Sequence, residues 1–231
     1  MTLFDFIPFF SVTDAVALCL IISAWFGIGW WIEHPGARRP SVTVMMSDYR
    51  REWMRSFCKR DVRIFDAQIL ASLRQGTAFF ASSSLIAIGG LLALMGSADQ
   101  ISGLALSISD NAPPVIVYQI KLCLAGFFTV MAFLKFVWAN RLFGYCAVVM
   151  GAVPIETGTP NTQKRAALAG ELNVRAALNF NRGLRAMYFA LAALVWIVGP
   201  WGLIFATITT AWTVWSREFM SLSRRLLEDQ E

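Results

Sequence analysis

Residues able to do chemistry are few in this chain, and their types exclude more than they allow. One histidine, His34, and four scattered cysteines, Cys19, Cys58, Cys123 and Cys146, are all the imidazole and thiol groups the chain offers a metal. No two cysteines form a CxxC pair, so a zinc, copper or haem centre lacks its ligand set. The cysteines read as small buried hydrophobes. No Gly-rich loop precedes a Lys-Ser or Lys-Thr, and no GxSxG elbow is present. The apolar runs hold no Asp/Glu pair of the kind that relays protons. No enzymatic activity, cofactor or metal is expected.

Three constellations remain. Lys121, beside Tyr118 and Gln119, is the one clear polar group deep in an apolar run, and Ser82, Ser83 and Ser84 form a hydroxyl run in another. An intramembrane charge is costly, which makes Lys121 and the serines candidate pore- or ligand-lining residues. A lysine satisfied by the protein or snorkelling outward is the structural alternative. Next, "KRDVRIFDAQILASLRQ" carries Arg63, Asp66 and Arg74, a candidate gate or anion-attracting vestibule. Its structural alternative is a local ion pair between Arg63 and Asp66, neighbours at i, i+3. Last, "NFNRGLR" offers Asn179, Asn181, Arg182 and Arg185 as an anionic-ligand or partner site facing the second constellation. Snorkelling and lipid-headgroup anchoring would use the same residues.

The elements that must hold these groups are membrane helices. Of 231 residues 57% are hydrophobic and only 15% charged, well below the roughly 25% of a soluble domain. The opening residues lack a basic stretch and a small-residue cleavage site, so the first apolar run is expected to stay as a span. Spans are expected at 15–32, 77–96, 115–139, 178–199 and 201–217, with cytoplasmic segments at 33–76 and 140–177. In "EHPGARRPS", Pro35, Gly36 and Pro40 end the first helix. Within 41–75, Arg51, Arg55 and Lys59 form a basic stripe and Tyr49, Trp53 and Phe57 an aromatic one, the pattern of an amphipathic helix lying on an anionic membrane or packed on its neighbours. The small residues of 77–96, Gly89 and Gly90 among them, place that span in the bundle interior or at a subunit contact. Residues 142–153 are apolar but too short to cross, which suggests an interfacial or re-entrant piece.

The run 186–215 contains "WIVGPWGLIF". As one helix it would measure about 45 Å against a hydrocarbon core of about 30 Å. Gly199 followed by Pro200 is stop-and-start chemistry, and predicts a hairpin. Charge agrees. Apart from Lys121 and Lys135, nine Lys and Arg lie in 32–75, six in 140–186, with Arg182 and Arg185 snorkelling, and three towards the tail, Arg217, Arg224 and Arg225. Five crossings with the N-terminus outside put all of these in the cytoplasm, leaving Asp5, Asp14, Asp99 and Asp110 on the other side.

The strings "RREWMRSFCKRDVRIFDAQILASLRQGTAFFASSSLIAIGGLLALMGS", "KFVWANRLFGYCAVVMGAVP" and "NFNRGLRAMYFALAALVWIVGPW" resemble, in order, the bacterial family of domain of unknown function 599, which also has plant members. The resemblance implies a small multi-span membrane protein and supplies no activity and no site residue. The expected molecule is an all-α, polytopic helix bundle of about five spans in the bacterial inner (plasma) membrane, with a cytoplasmic amphipathic helix. Its expected role is an oligomeric ion or small-solute channel or transporter, with a non-catalytic scaffold or accessory subunit as the alternative. Expected partners are the lipid bilayer, anionic headgroups, further copies of the chain and a larger membrane complex, and no nucleic acid.

Overall fold

A computed structural model of the chain describes residues 9–34, 36, 39–99, 113–155 and 159–228. Asp5, Pro35 and Asp110 lie outside them. All regular structure among the described residues is helical: α1 (Val12–Glu33), α2 (Val42–Phe57), α3 (Ile64–Gly96), α4 (Val115–Gly151), α5 (Pro160–Leu194), a 3₁₀ turn (Val195–Ile197), α6 (Pro200–Phe219) and α7 (Leu222–Glu228). The fold is an all-α bundle. By length and composition α1, α3 and α4 can each cross a membrane. The apolar part of α5 falls short through Asn179, Asn181, Arg182 and Arg185, and α6 through its threonines, tryptophans and Arg217.

Local chemistry explains the helix ends. Ser11 and Asp14 form a reciprocal capping box at the start of α1. Ser41 caps α2 by accepting from Val44 N–H while its hydroxyl donates to the Ile32 carbonyl at the end of α1, which fixes the turn between the two helices. At Gly199 φ is +148°, a region closed to residues with a Cβ, and Pro200 takes the first position of α6. The chain reverses there: Arg217 of α6 donates to the Tyr188 hydroxyl of α5 at 2.9 Å. The hairpin expected at "GPWG" is present.

Three helices exceed any membrane thickness. With 33, 37 and 35 residues, α3, α4 and α5 run about 50–55 Å each. α3 and α4 each have an apolar part and a stretch that extends about 20 Å past it, and the longer polar stretch of α5, up to Arg185, packs beside them. The stretch 142–153, expected as a separate interfacial or re-entrant piece, is mostly the unbroken end of α4, because no proline or glycine pair interrupts the backbone ladder before Gly151. Two cores result. In the apolar half Ile21, Leu122, Phe128, Phe189, Trp196 and Leu203 interlock α1, α4, α5 and α6. In the basic half Met54, Phe57, Leu70, Phe143, Cys146 and Ala169 join α2, α3, α4 and α5. Phe80, Phe136 and Phe180, with centroids 5.4–5.5 Å apart, fill the level between them.

One member of each stripe packs inward, while Arg55 and Lys59 are exposed. Phe57 is buried, Met54 sits on Gly170 of α5, and Arg51 pairs with Glu171. Of the two positions expected for the span 77–96, bundle interior or subunit contact, the first does not hold, since α3 lies at the edge of the bundle. α3 packs chiefly on α4, and Gly89 and Gly90 have nothing within 4 Å of where a side chain would begin. Small residues signal close approach only where a second helix is present. Cys19 and Cys123, expected to be buried, lie on the outer surface of the apolar half, while Cys146 is buried.

Candidate functional site: a cationic cleft at the foot of α1

Glu33 is the last residue of α1, and two arginines of α5 converge on it. Arg182 and Arg185 lie at i, i+3, one face of the helix. Arg182 makes a two-pronged contact, its Nε 2.8 Å from Glu33 Oε1 and its Nη2 on Oε2, and Arg185 Nη2 donates to Oε1 at 2.5 Å. The three side chains bound a cleft of about 320 Å³ between α1 and α4, floored by α5. Lys135 of α4 lines the same cleft and makes no ion pair among the described residues. Trp25, Phe26 and Trp30 form its α1 wall, and Trp25 closes the space above by packing edge-on against Phe128 at 5.2 Å. Three cations thus face one carboxylate, leaving net positive charge in an aromatic-walled space at the border of the two halves. Charged groups in such a place attract anions, and tryptophans there match the level of lipid headgroups.

Lys121 occupies a different neighbourhood. Its Nζ lies 5.9 Å from the Trp196 ring, and the Trp196 indole donates to Asp14 Oδ1 at 2.7 Å. Asp14 also accepts from the Ser11 backbone and hydroxyl. The acid, the indole and the lysine therefore form one buried group at the far end of the apolar half. Asp14, read from sequence as an outer acid, had its signal in the S-x-x-D capping pattern. Gln119 turns to the Met95 carbonyl. Ser84 donates to the Phe80 carbonyl of its own helix and faces Met187, Ser83 is half-buried, and Ser82 is exposed. Lys121 belongs to the contact of α1 and α4 with the 3₁₀ turn, and Ser84 to the α3–α5 contact, so the structure does not bring them together.

The Arg63–Asp66 pairing also comes out differently. Asp66 is fully buried in the first turn of α3 and accepts from the Trp53 indole at 2.6 Å and from Arg60. Arg63, placed just before the helix, reaches the other way. Its two terminal nitrogens donate to the Val153 and Pro154 carbonyls at 2.7 and 3.0 Å, and its guanidinium stacks 4.5 Å over the Phe57 ring. It thereby ties the start of α3 to the turn that follows α4. Arg74 is exposed and lines, with Arg63, an apolar groove of about 460 Å³ between α3 and α4. That groove and the Arg182–Arg185 cleft share no lining residue, so the two constellations do not meet in one site. Asn181 donates to Thr43 Oγ1, and Asn179 only to Arg175 of its own helix.

Electrostatics in the basic half is conservative. The Arg51 guanidinium beside Glu171 holds that carboxyl below the usual glutamate range. Burial pushes the Cys146 thiol up to about 11, against weaker stabilisation from Asn173 and Arg50, which leaves an unreactive thiol. Among the described residues no three His, Cys, Asp or Glu gather to hold a metal ion.

Compared with known proteins, residues 16–223 match a family model described as "Protein of unknown function, DUF599". No curated protein and no solved structure matches the chain.

Proposed function

The chain belongs to the family of proteins of unknown function DUF599, and from that premise we propose that it is a non-catalytic, multi-pass inner-membrane protein that binds anionic lipid headgroups in the cleft beneath α1. In this reading the N-terminus is outside, α1, α3, α4 and the α5–α6 hairpin make five crossings, and the basic half stands in the cytoplasm. The observation that carries it is the excess of cations in the cleft: Lys135, Arg182 and Arg185 against Glu33 alone, walled by Trp25 and Trp30. Placed at the cytoplasmic leaflet, that excess meets the negative surface of the bilayer, where each cation contributes on the order of 1 kcal/mol. Retained lipid would act as mortar between α1 and α4, in keeping with a scaffold or accessory role in a larger membrane complex.

The pore reading draws less support. It needs Lys121 and the serines on one water-filled path, whereas Lys121 sits with Asp14 and Trp196, and Ser84 is bonded within α3. Lys135 supplies the test, because it makes no ion pair that its loss would break. Native mass spectrometry of protein extracted from membranes containing phosphatidylglycerol should show retained anionic lipid. Lys135→Gln should retain roughly fivefold less, the equivalent of one surface cation. Equal retention by the two proteins would sink the proposal.

A further inference from the structure

A second polar cavity lies where α2 crosses the middle of α5 and the end of α6, lined by both charged and uncharged polar groups. It holds about 280 Å³, and Arg50 of α2 and Glu218 of α6 both contribute to its walls. Arg50 spends one donor on Asn173 Oδ1 and makes no ion pair among the described residues. The Glu218 oxygens accept from the Thr43 backbone N–H at 3.0 Å and the Thr43 hydroxyl at 2.8 Å, and they too have no cationic partner within ion-pair distance. Asn181, on the α5 wall, gives its amide N–H to Thr43 Oγ1 and keeps its carbonyl oxygen for another donor.

Two opposite charges thus share one small cavity without touching. A guanidinium taken from water is costly unless a matching anion meets it, and burial lowers the Arg50 pKa below the usual guanidinium value. Its fork geometry suits a carboxylate, held by two parallel hydrogen bonds. Glu218 opposes a second negative charge in the same space and favours an ammonium, which the free Asn181 carbonyl would also accept. A phosphate dianion would bring two negative charges against that carboxylate, with Arg50 the one cation lining the cavity. The volume falls just under the usual range of about 300–1,000 Å³ for ligand pockets, which suits a molecule of very few heavy atoms and excludes a nucleotide.

We propose that the Arg50–Glu218 cavity binds a small zwitterionic carboxylate, a free α-amino acid by chemical class, with its carboxylate on Arg50 and its ammonium between Glu218 and Asn181. The site is separate from the Lys135 cleft, and neither proposal depends on the other. A zwitterionic lipid headgroup carries related charges, so the probes must tell the two sources apart. Calorimetric titration of the purified full-length protein in detergent would use the twenty common amino acids singly. Each binder would then be compared with its N-acetyl and carboxamide derivatives, with inorganic phosphate and with glycerophosphoethanolamine. At least one free amino acid should bind saturably, and its two blocked derivatives about tenfold more weakly or worse, each having lost one charge-assisted contact. Arg50→Gln should cause a similar loss. Met46, 39% exposed at the cavity wall, gives a second variant that leaves both charges in place: Met46→Trp should block binding by filling the mouth. Binding unchanged in Met46→Trp, no binding by any free amino acid, or binding of glycerophosphoethanolamine or phosphate in preference to amino acids would each overturn the assignment.

Discussion

Gly183 shows how closely two residues can set two helices. A Cβ built on it would lie 2.6 Å from Cε1 of Phe136, whose ring is fully buried between Phe80 and Phe180. The ring has nowhere to turn, so Gly183→Ala should destabilise the protein by about 1–3 kcal/mol, visible as a lower melting temperature in detergent. Cys146 makes a chemical prediction at the same scale. With its thiol at about 11, roughly one molecule in a thousand is thiolate at pH 8. Mass spectrometry after iodoacetamide treatment at that pH should find Cys146 unmodified until the protein is denatured. At this scale the sequence supplied side-chain types and little about pairing. Arg182 and Arg185 stand out in "NFNRGLR", but Glu33 lies about 150 positions away and only the fold unites them. Arg63 and Asp66 looked like partners because they are near in sequence. Arg60 and Trp53 reach Asp66 instead, since α2 folds back across the start of α3.

Among the elements, the hairpin was readable because its signal is backbone chemistry, carried by two adjacent residues. Gly199 adopts a φ that only glycine takes without strain, so Gly199→Ala should cost roughly 1–3 kcal/mol and lower the melting temperature, while Gly126 of α4, whose φ is not positive and where a Cβ would meet nothing within 4 Å, offers a control for the loss of a glycine as such. The length of α4 was less readable. Hydropathy registers where a helix leaves lipid, near Trp138, while the backbone ladder continues until a breaker appears, and none does before Gly151. The same distinction explains α3 and α5, whose charged stretches are helix of the same rod as their apolar stretches. The edge position of α3 left no sequence trace either, because glycines and serines look alike whether they face a neighbour or open space.

On the scale of the whole molecule, the charges that line the basic half and the acids at the other end fix one expected orientation. The α5–α6 return places α7 beside α2, with Arg224 donating to the Pro40 carbonyl. A fluorescent protein fused after Glu231 should therefore fold and fluoresce in the cytoplasm, and alkaline phosphatase fused at the same point should be inactive. The reverse pair of results would put the tail outside and overturn this topology: either α5 and α6 make a single crossing, or the whole molecule is inverted and Lys135 lies at the outer leaflet.

The continuity of α3, α4 and α5 through both halves also governs how the protein is made. The core of the basic half takes Met54 and Phe57 from α2, Leu70 from α3, Phe143 and Cys146 from α4, and Ala169 from α5. Chain leaves the ribosome in that order, so α2 and the start of α3 must wait, with their apolar faces uncovered, through the synthesis of two long apolar helices. The basic half can close only once the beginning of α5 has emerged. Its assembly is therefore tied to membrane insertion, and no contiguous fragment of the chain can be expressed as a soluble substitute for it.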